Sequence, residues 1–179
     1  MATWFTSDLH FFHRNILKYC AASRPFTDAA AMNAVIIENW NSCIKPTDEV
    51  WVLGDVSFGE LEPTVLTLGQ LNGNKRLIIG NHDKKLLKYN EFRDCFISID
   101  HYVEFRYNKI KFCLMHYPIV SWNERNQGSI MLHGHSHGTW VGVGRIKDVG
   151  IDTNSMMPYN LDEVYESLIR VPIVNDFGD

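Results

Sequence analysis

Long apolar runs are missing from this sequence: no uninterrupted stretch approaches the roughly 20 residues needed to cross a bilayer, so no membrane span is expected. A leader-like opening is missing too. Residues 1–10 read Met-Ala-Thr-Trp-Phe-Thr-Ser-Asp-Leu-His, without the basic and apolar regions of a signal peptide, so a soluble cytoplasmic protein is expected. Positive charge is scarce. The 17 Lys and Arg against 21 Asp and Glu leave a formal charge of −4 and a pI of about 6.0, which argues against strong binding to duplex nucleic acid. Cys20, Cys43, Cys95 and Cys113 stand far apart with no Cys-x-x-Cys pair, the pattern of reduced, buried thiols rather than a disulfide framework. Repeats, low-complexity tracts and Pro/Ser linkers are also lacking, so residues 1–179 are expected to form one domain. With 45% hydrophobic residues, that domain can bury a sizeable core.

What is present is a recurrence of short apolar runs that stop at polar residues. Residues 2–6, 50–53, 76–79, 111–115 and 130–132 have the composition of buried strands. They are followed by Ser7-Asp8-Leu9-His10, Gly54-Asp55, Gly80-Asn81-His82-Asp83, His116-Tyr117-Pro118 and His133-Gly134-His135-Ser136-His137. In α/β proteins ligands gather outside the carboxyl ends of strands, so five such clusters can converge on one site. Thr27 or Asp28 can cap a helix running to about Cys43, with Met32, Val35, Ile36 and Trp40 as its apolar stripe. Pro63 suits the first turn of a helix that Asn72-Gly73 ends, and Asn160 caps a last helix whose buried face is Val164, Tyr165 and Leu168. Residues 97–107 and 140–151 favour strands, with a turn at Asn108-Lys109. Strand–helix alternation followed by a strand-rich half indicates an α/β domain with mixed sheets.

Six of the eight histidines sit in the strand-end clusters: His10, His82, His116, His133, His135 and His137. One such residue alone is more often a hydrogen-bonded structural histidine. The set is not explained that way. Imidazole with carboxylate suits Zn, Fe, Ni or Mn, whereas Mg and Ca prefer oxygen cages. Adding Asp8, Asp55 and Asn81 gives more donors than one tetrahedral ion uses, which points to two ions.

The ordered series Asp8-x-His10, Gly54-Asp55, Gly80-Asn81-His82-Asp83, His116 and Gly134-His135-x-His137 resembles the calcineurin-like metallophosphoesterase superfamily. Each block alone is weak; five in order at strand ends are specific. The stretches Asp8-Leu-His-Phe-Phe-His13-Arg14-Asn15-Ile16 and Ser121-Trp122-Asn123 are similar to a compact bacterial and phage subgroup. The resemblance implies a four-layer α-β-β-α sandwich with two mixed β-sheets. It implies that Asp8, His10 and His137 hold one divalent ion, that Asn81, His116 and His135 hold a second, and that Asp55 bridges them. Mn²⁺ is the favoured ion, with Fe, Zn and Ni as alternatives. A hydroxide bridging ions about 4 Å apart would attack phosphorus in line with the departing oxygen. His82 would protonate that oxygen, with Asp83 orienting its ring.

Other residues are weighed against plainer roles. His133 is expected to support the ligands from behind, sharing a side with His135 and His137 by strand alternation. His13 and Arg14 stand at a helix start and are candidates for binding substrate phosphate, with a solvated helix face as the equal alternative for Arg14. Trp122 and Asn123 are candidates for substrate contact, a packed rim being the commoner outcome for such a tryptophan. Lys84 and Lys85 fit a solvated face, and Met156-Met157 fit core filling.

Together these readings favour a dinuclear phosphodiesterase acting on a nucleotide or other small phosphodiester. A phosphomonoesterase of the same fold and a non-catalytic metal-binding scaffold are the alternatives, the latter disfavoured because His82 and all seven proposed ligands are present. An unrelated metallo-β-lactamase-type hydrolase ranks last, since its block needs an Asp where His137 stands. No long insertion follows the metal blocks, so the cleft is either open or completed by a second copy in a homo-oligomer.

Overall fold

A computed structural model of the chain describes residues 1–174. Its strands are β1 (Thr3–Thr6), β2 (Glu49–Val52), β3 (Asn74–Ile78), β4 (Ile99–Asp100), β5 (Tyr102–Tyr107), β6 (Ile110–Met115), β7 (Ile130–His133), β8 (Ile146–Asp148) and β9 (Tyr159–Asn160). Its α-helices are α1 (Ile16–Tyr19), α2 (Ala29–Cys43), α3 (Leu61–Gln70), α4 (Asn90–Arg93) and α5 (Leu161–Ile169). The strands form two mixed sheets in the order β4-β3-β2-β1-β9 and β5-β6-β7-β8. In the first, β1 to β4 run parallel and β9 is antiparallel to β1. In the second, only the β5–β6 pair is antiparallel.

Period-two side chains divide the core between the layers. Along β2, Val50 and Val52 join α2 residues Met32, Ile36 and Trp40 and α3 residue Leu68 in one cluster. Trp51 and Leu53 instead join Phe5, Ile78, Phe112, Leu114, Ile130 and Leu132 between the sheets. Both faces of the first sheet are therefore buried, which is why β2 reads as a continuous apolar run rather than an alternating one. α5 closes this inner core through Leu161, Val164 and Leu168. The outer face of the second sheet is covered thinly. Cys113 and Met131 pack there against Trp122 from the connection between β6 and β7, whose regular structure is a single 3₁₀ turn at Arg125–Gln127. The result is a layered sandwich with the two sheets face to face.

Local chemistry sets the element ends. The Asp28 carboxylate accepts the Ala31 N–H at 2.8 Å and so caps α2, a contact of about 1 kcal/mol. Asn160 does the same for α5 through the Asp162 N–H. Asn108 and Lys109 take φ of 47° and 68°, the pair of positive values that a two-residue hairpin between β5 and β6 requires.

Two expected strands differ. The run 97–107 is divided at His101, with β4 in one sheet and β5 in the other. The run 140–151 contains only β8, because Gly142 and Gly144 interrupt it and Gly144 takes a φ of +93°. The four cysteines are free; Cys113 is buried and the other three half-buried. Among the described residues no helix is long and apolar enough to cross a membrane.

Candidate metal centre

Each strand-end cluster leaves its strand abruptly. Asp8, His10, Asp55, His135 and His137 have φ of 56°, 49°, 55°, 67° and 47°, the left-handed region that costs an L-residue about 1–2 kcal/mol. Five strained positions at one end of a sandwich are a mark of function, because only an over-determined surrounding retains them. Gly54 makes the approach of the clusters feasible: at a φ of +91°, a Cβ there would lie 2.6 Å from the Gly80 backbone and from His116 Nδ1. Its neighbour strand-ends could not close on one another around a larger residue.

The side chains these turns present form two groups. Asp8 Oδ1 lies 3.8 Å from His10 Nε2 and 3.9 Å from His137 Nε2. Asp55 turns Oδ1 toward His116 Nε2 at 3.6 Å and Oδ2 toward His10 Nε2 at 3.7 Å. These separations exceed a hydrogen bond but suit atoms that each sit about 2 Å from a common ion. The Asp8–His10–His137 and Asp55–His116–His135 sets can each gather three ligand atoms within 4.8 Å of one another. Asp55 therefore faces both groups.

The hydrogen bonding leaves these atoms without protein partners. Asp8 Oδ2 accepts the His135 N–H at 2.8 Å, yet its buried Oδ1 has no hydrogen bond, and neither ring nitrogen of buried His10 has one. His116 Nδ1 lies 2.7 Å from the Leu53 carbonyl, an acceptor, so Nδ1 carries a proton and Nε2 is turned outward. There Nε2 lies 2.9 Å from Asn81 Oδ1. An imidazole nitrogen and an amide oxygen so placed can serve as ligands of one cation. His137 is held the same way, with Nδ1 donating to Asp152 Oδ2 at 2.7 Å. The donor set thus fits divalent ions.

Electrostatics follow from burial. Burial raises the Asp8 carboxyl to about 6 against the opposing pull of His137. Burial also holds His10 well below the usual imidazole range, and it lowers His135, with His116 adding to the effect. His137 goes the other way: burial opposes its charged form, but the Asp152 hydrogen bond and the Asp8 charge outweigh it.

A profile of the calcineurin-like phosphoesterases matches residues 1–167. The chain belongs to that family. An uncharacterized protein of Methanocaldococcus jannaschii is 32% identical over 97% of this chain and 94% of its own length. The Gene 66 protein of Mycobacterium phage L5 is 28% identical over 92% of each. Among solved structures, a protein of unknown function from Aquifex aeolicus superposes with a TM-score of 0.73 at 25% identity, over 93% of this chain and 98% of that one. As in other calcineurin-like phosphoesterases, the layered fold presents His/Asp clusters able to bind divalent metal.

The remaining expected site residues fall in different places. His82 lines the cavity before the cluster, its Nε2 3.9 Å from Asp55 Oδ2 and its backbone N–H donating to Asp55 Oδ1 at 3.0 Å. Asp83 does not reach the His82 ring. Its buried carboxylate accepts the N–H groups of Asp55, Val56 and Gly80 instead, because the 3₁₀ turn Asp83–Lys88 directs it under the two loops. It locks the Asp55 and Asn81 loops together. His13 lines the cavity, but exposed Arg14 does not; it borders a separate hollow with Lys18 and Asp28. Trp122 and Asn123 are also displaced. Trp122 is buried against Cys113 and Met131 under Arg125, and Asn123 donates to Glu104, because their connection crosses the sheet's outer face. His133 is buried, with Nδ1 at the Gly134 carbonyl and its ring edge-on to Trp140. β7 ends at His133, so strand alternation does not carry on to His135 and His137.

Arg24 and Asp152 escaped the sequence reading. Arg24 Nη2 meets Asp152 Oδ2 at 2.6 Å, both side chains being almost fully buried, and Arg24 also donates to the Asp8 and Leu9 carbonyls. Hydrogen bonds from Arg24 and His137 hold the Asp152 carboxyl well below the usual range despite its burial. A signal existed for Asp152 alone: Val149-Gly150-Ile151-Asp152 follows β8 with the same apolar-then-polar break as the other clusters.

Proposed function

We propose that the chain, taken as one domain over residues 1–179, is a dinuclear metal-dependent phosphodiesterase acting on a small phosphodiester such as a nucleotide. The observation that carries this reading is Asp55 turning one carboxylate oxygen toward each His/Asp group. Asp8, His10 and His137 would hold one ion, Asn81, His116 and His135 the other, and Asp55 both. Such ions supply charge withdrawal at phosphorus and water acidic enough to react at neutral pH; Mn²⁺ suits the mixed nitrogen and oxygen donors.

The chain's own residues do the rest. Left-handed turns and the Arg24–Asp152 pair fix the donors before substrate arrives, and Asp83 keeps the Asp55 and Asn81 loops in register. As the water oxygen bonds to phosphorus and the ester P–O bond breaks, His82 hands a proton to the departing oxygen. Its ring is 44% exposed and stands at the cavity, in position for that transfer. Among the described residues neither Lys nor Arg lines this cavity. A monoester dianion would gain from such cations, so the lining favours the singly charged diester over the monoester.

The test is turnover of an aryl phosphodiester beside the matching monoester with Mn²⁺, using His82→Ala as control. Diester turnover should exceed monoester turnover and fall about 10²- to 10⁴-fold in the variant while bound metal is retained. Monoester preference would reverse the substrate class. Absence of any turnover in metal-loaded protein would favour the scaffold alternative.

A further inference from the structure

The cavity before the ligand cluster has about 320 Å³ and two unlike parts. One part holds the imidazoles and the Asp55 carboxylate. The other is Ile16, Tyr19, Cys20 and Phe58 with His13, all of them uncharged or neutral-ring groups. Tyr19 is 73% exposed and Phe58 39% exposed, so two large aromatic side chains stand open to water where a ligand would enter. Phe58 is fixed there rather than loose. Its ring lies parallel to His13 at 3.7 Å with 8° between planes, and 4.5 Å from the His82 ring. Tyr19 meets His13 edge-on at 6.4 Å, which extends the ledge from His82 outward through three rings.

We propose that the Phe58–His13–Tyr19 ledge is a subsite for an uncharged planar ring carried by the substrate, a nucleobase being its natural example. This rests on the phosphoesterase reading and specifies what that site selects. Rings prefer the flat face of another ring because stacking joins dispersion over a large area with complementary quadrupoles, whereas an alkyl chain gains only area. Among the described residues no Lys or Arg is in the lining, which makes the recognition non-ionic beyond the phosphate. The volume lies at the small end for ligand sites and suffices for one ring with its phosphate.

Calorimetric titration of the Mn²⁺-loaded protein with the methyl phosphorothioate diesters of adenosine, ribose and hexanol, singly charged and slowly hydrolysed, tests this without relying on turnover. The ring-bearing ligand should bind about tenfold or more tightly than either other. Tyr19→Ala, at a largely exposed position that does not threaten folding, and Phe58→Leu should each move the ratio of ring-bearing to ring-less affinity toward one. Equal affinity of the ribose diester would overturn the subsite; equal affinity of the hexyl diester would overturn it too, by showing an apolar surface that does not select planar rings. A ratio unchanged in both variants would place the ring elsewhere. If none of the three binds, the phosphoesterase reading falls together with the subsite, a pattern distinct from loss of ring preference alone.

Discussion

The Asp8–His10–His137 group is braced and largely sealed, with only His137 partly exposed, whereas the group of Asn81, His116 and His135 is open on one side. Asp8 is fully buried and His10 is 2% exposed, and behind them the Arg24–Asp152 pair clamps His137 and the Asp8 backbone. His135 is exposed and Asn81 half-buried; only His116 is enclosed, by the Leu53 carbonyl. One end of the same fold thus supplies a cage built before any ion arrives and a position whose donors face solvent. The difference comes from what lies behind each donor. A buried ion pair fixes its neighbours in a low-dielectric interior, while an exposed imidazole keeps rotameric freedom until an ion orders it.

Removing the residue that joins the groups should have the largest effect. Asp55→Ala is expected to abolish turnover and drop bound metal below two ions per chain by elemental analysis; retention of two would refute its shared role. Next comes the brace. Asp152→Asn leaves buried Arg24 unpaired, so the thermal unfolding midpoint should fall by the equivalent of about 3–5 kcal/mol. Metal affinity of the sealed group should weaken about 10- to 100-fold, with the open group little changed. A uniform loss at both groups would erase the contrast.

Chelation should sharpen it in time. Metal release into excess chelator is expected in two phases, the faster from the open group, and His135→Ala should remove the faster phase alone. A single phase would mean the two positions exchange as a unit. The smallest effect lies away from the site, on the second sheet. Glu104 is held at about 2, below its ordinary 4.5, by hydrogen bonds from Lys111 and Tyr102. A carboxyl lowered on folding contributes stability above its unfolded value and loses it as pH falls through the folded value. Glu104→Gln should therefore flatten the pH dependence of stability between about 4.5 and 2 without altering metal content.

The strand-end histidines and carboxylates were legible because two local signals coincided, an apolar run and a polar break, and parallel strands deliver such breaks to one end. The helix caps at Asp28 and Asn160 were legible for the same local reason. The resemblance implies that Asp83 orients the His82 ring, but its turn aims it at three backbone amides instead. Trp122 was drawn toward the site by lying between two clusters in sequence, although its connection runs over the far face of the sheet. Arg24 and Asp152 are separated by 128 positions, and no periodicity announces a buried pair at that distance.

By itself, then, the order of apolar runs and polar breaks determined an α/β domain with histidine-rich strand ends, since strand burial follows from composition and periodicity, while the layered sandwich was implied by the family resemblance. Only the tertiary structure decided which atoms of that end face one another. The left-handed turns, the clamp behind His137, the ring ledge beside His82 and the contrast between sealed and open donors all depend on contacts between distant segments. Those contacts form where burial offsets strain, and burial is settled by the packing of the whole chain.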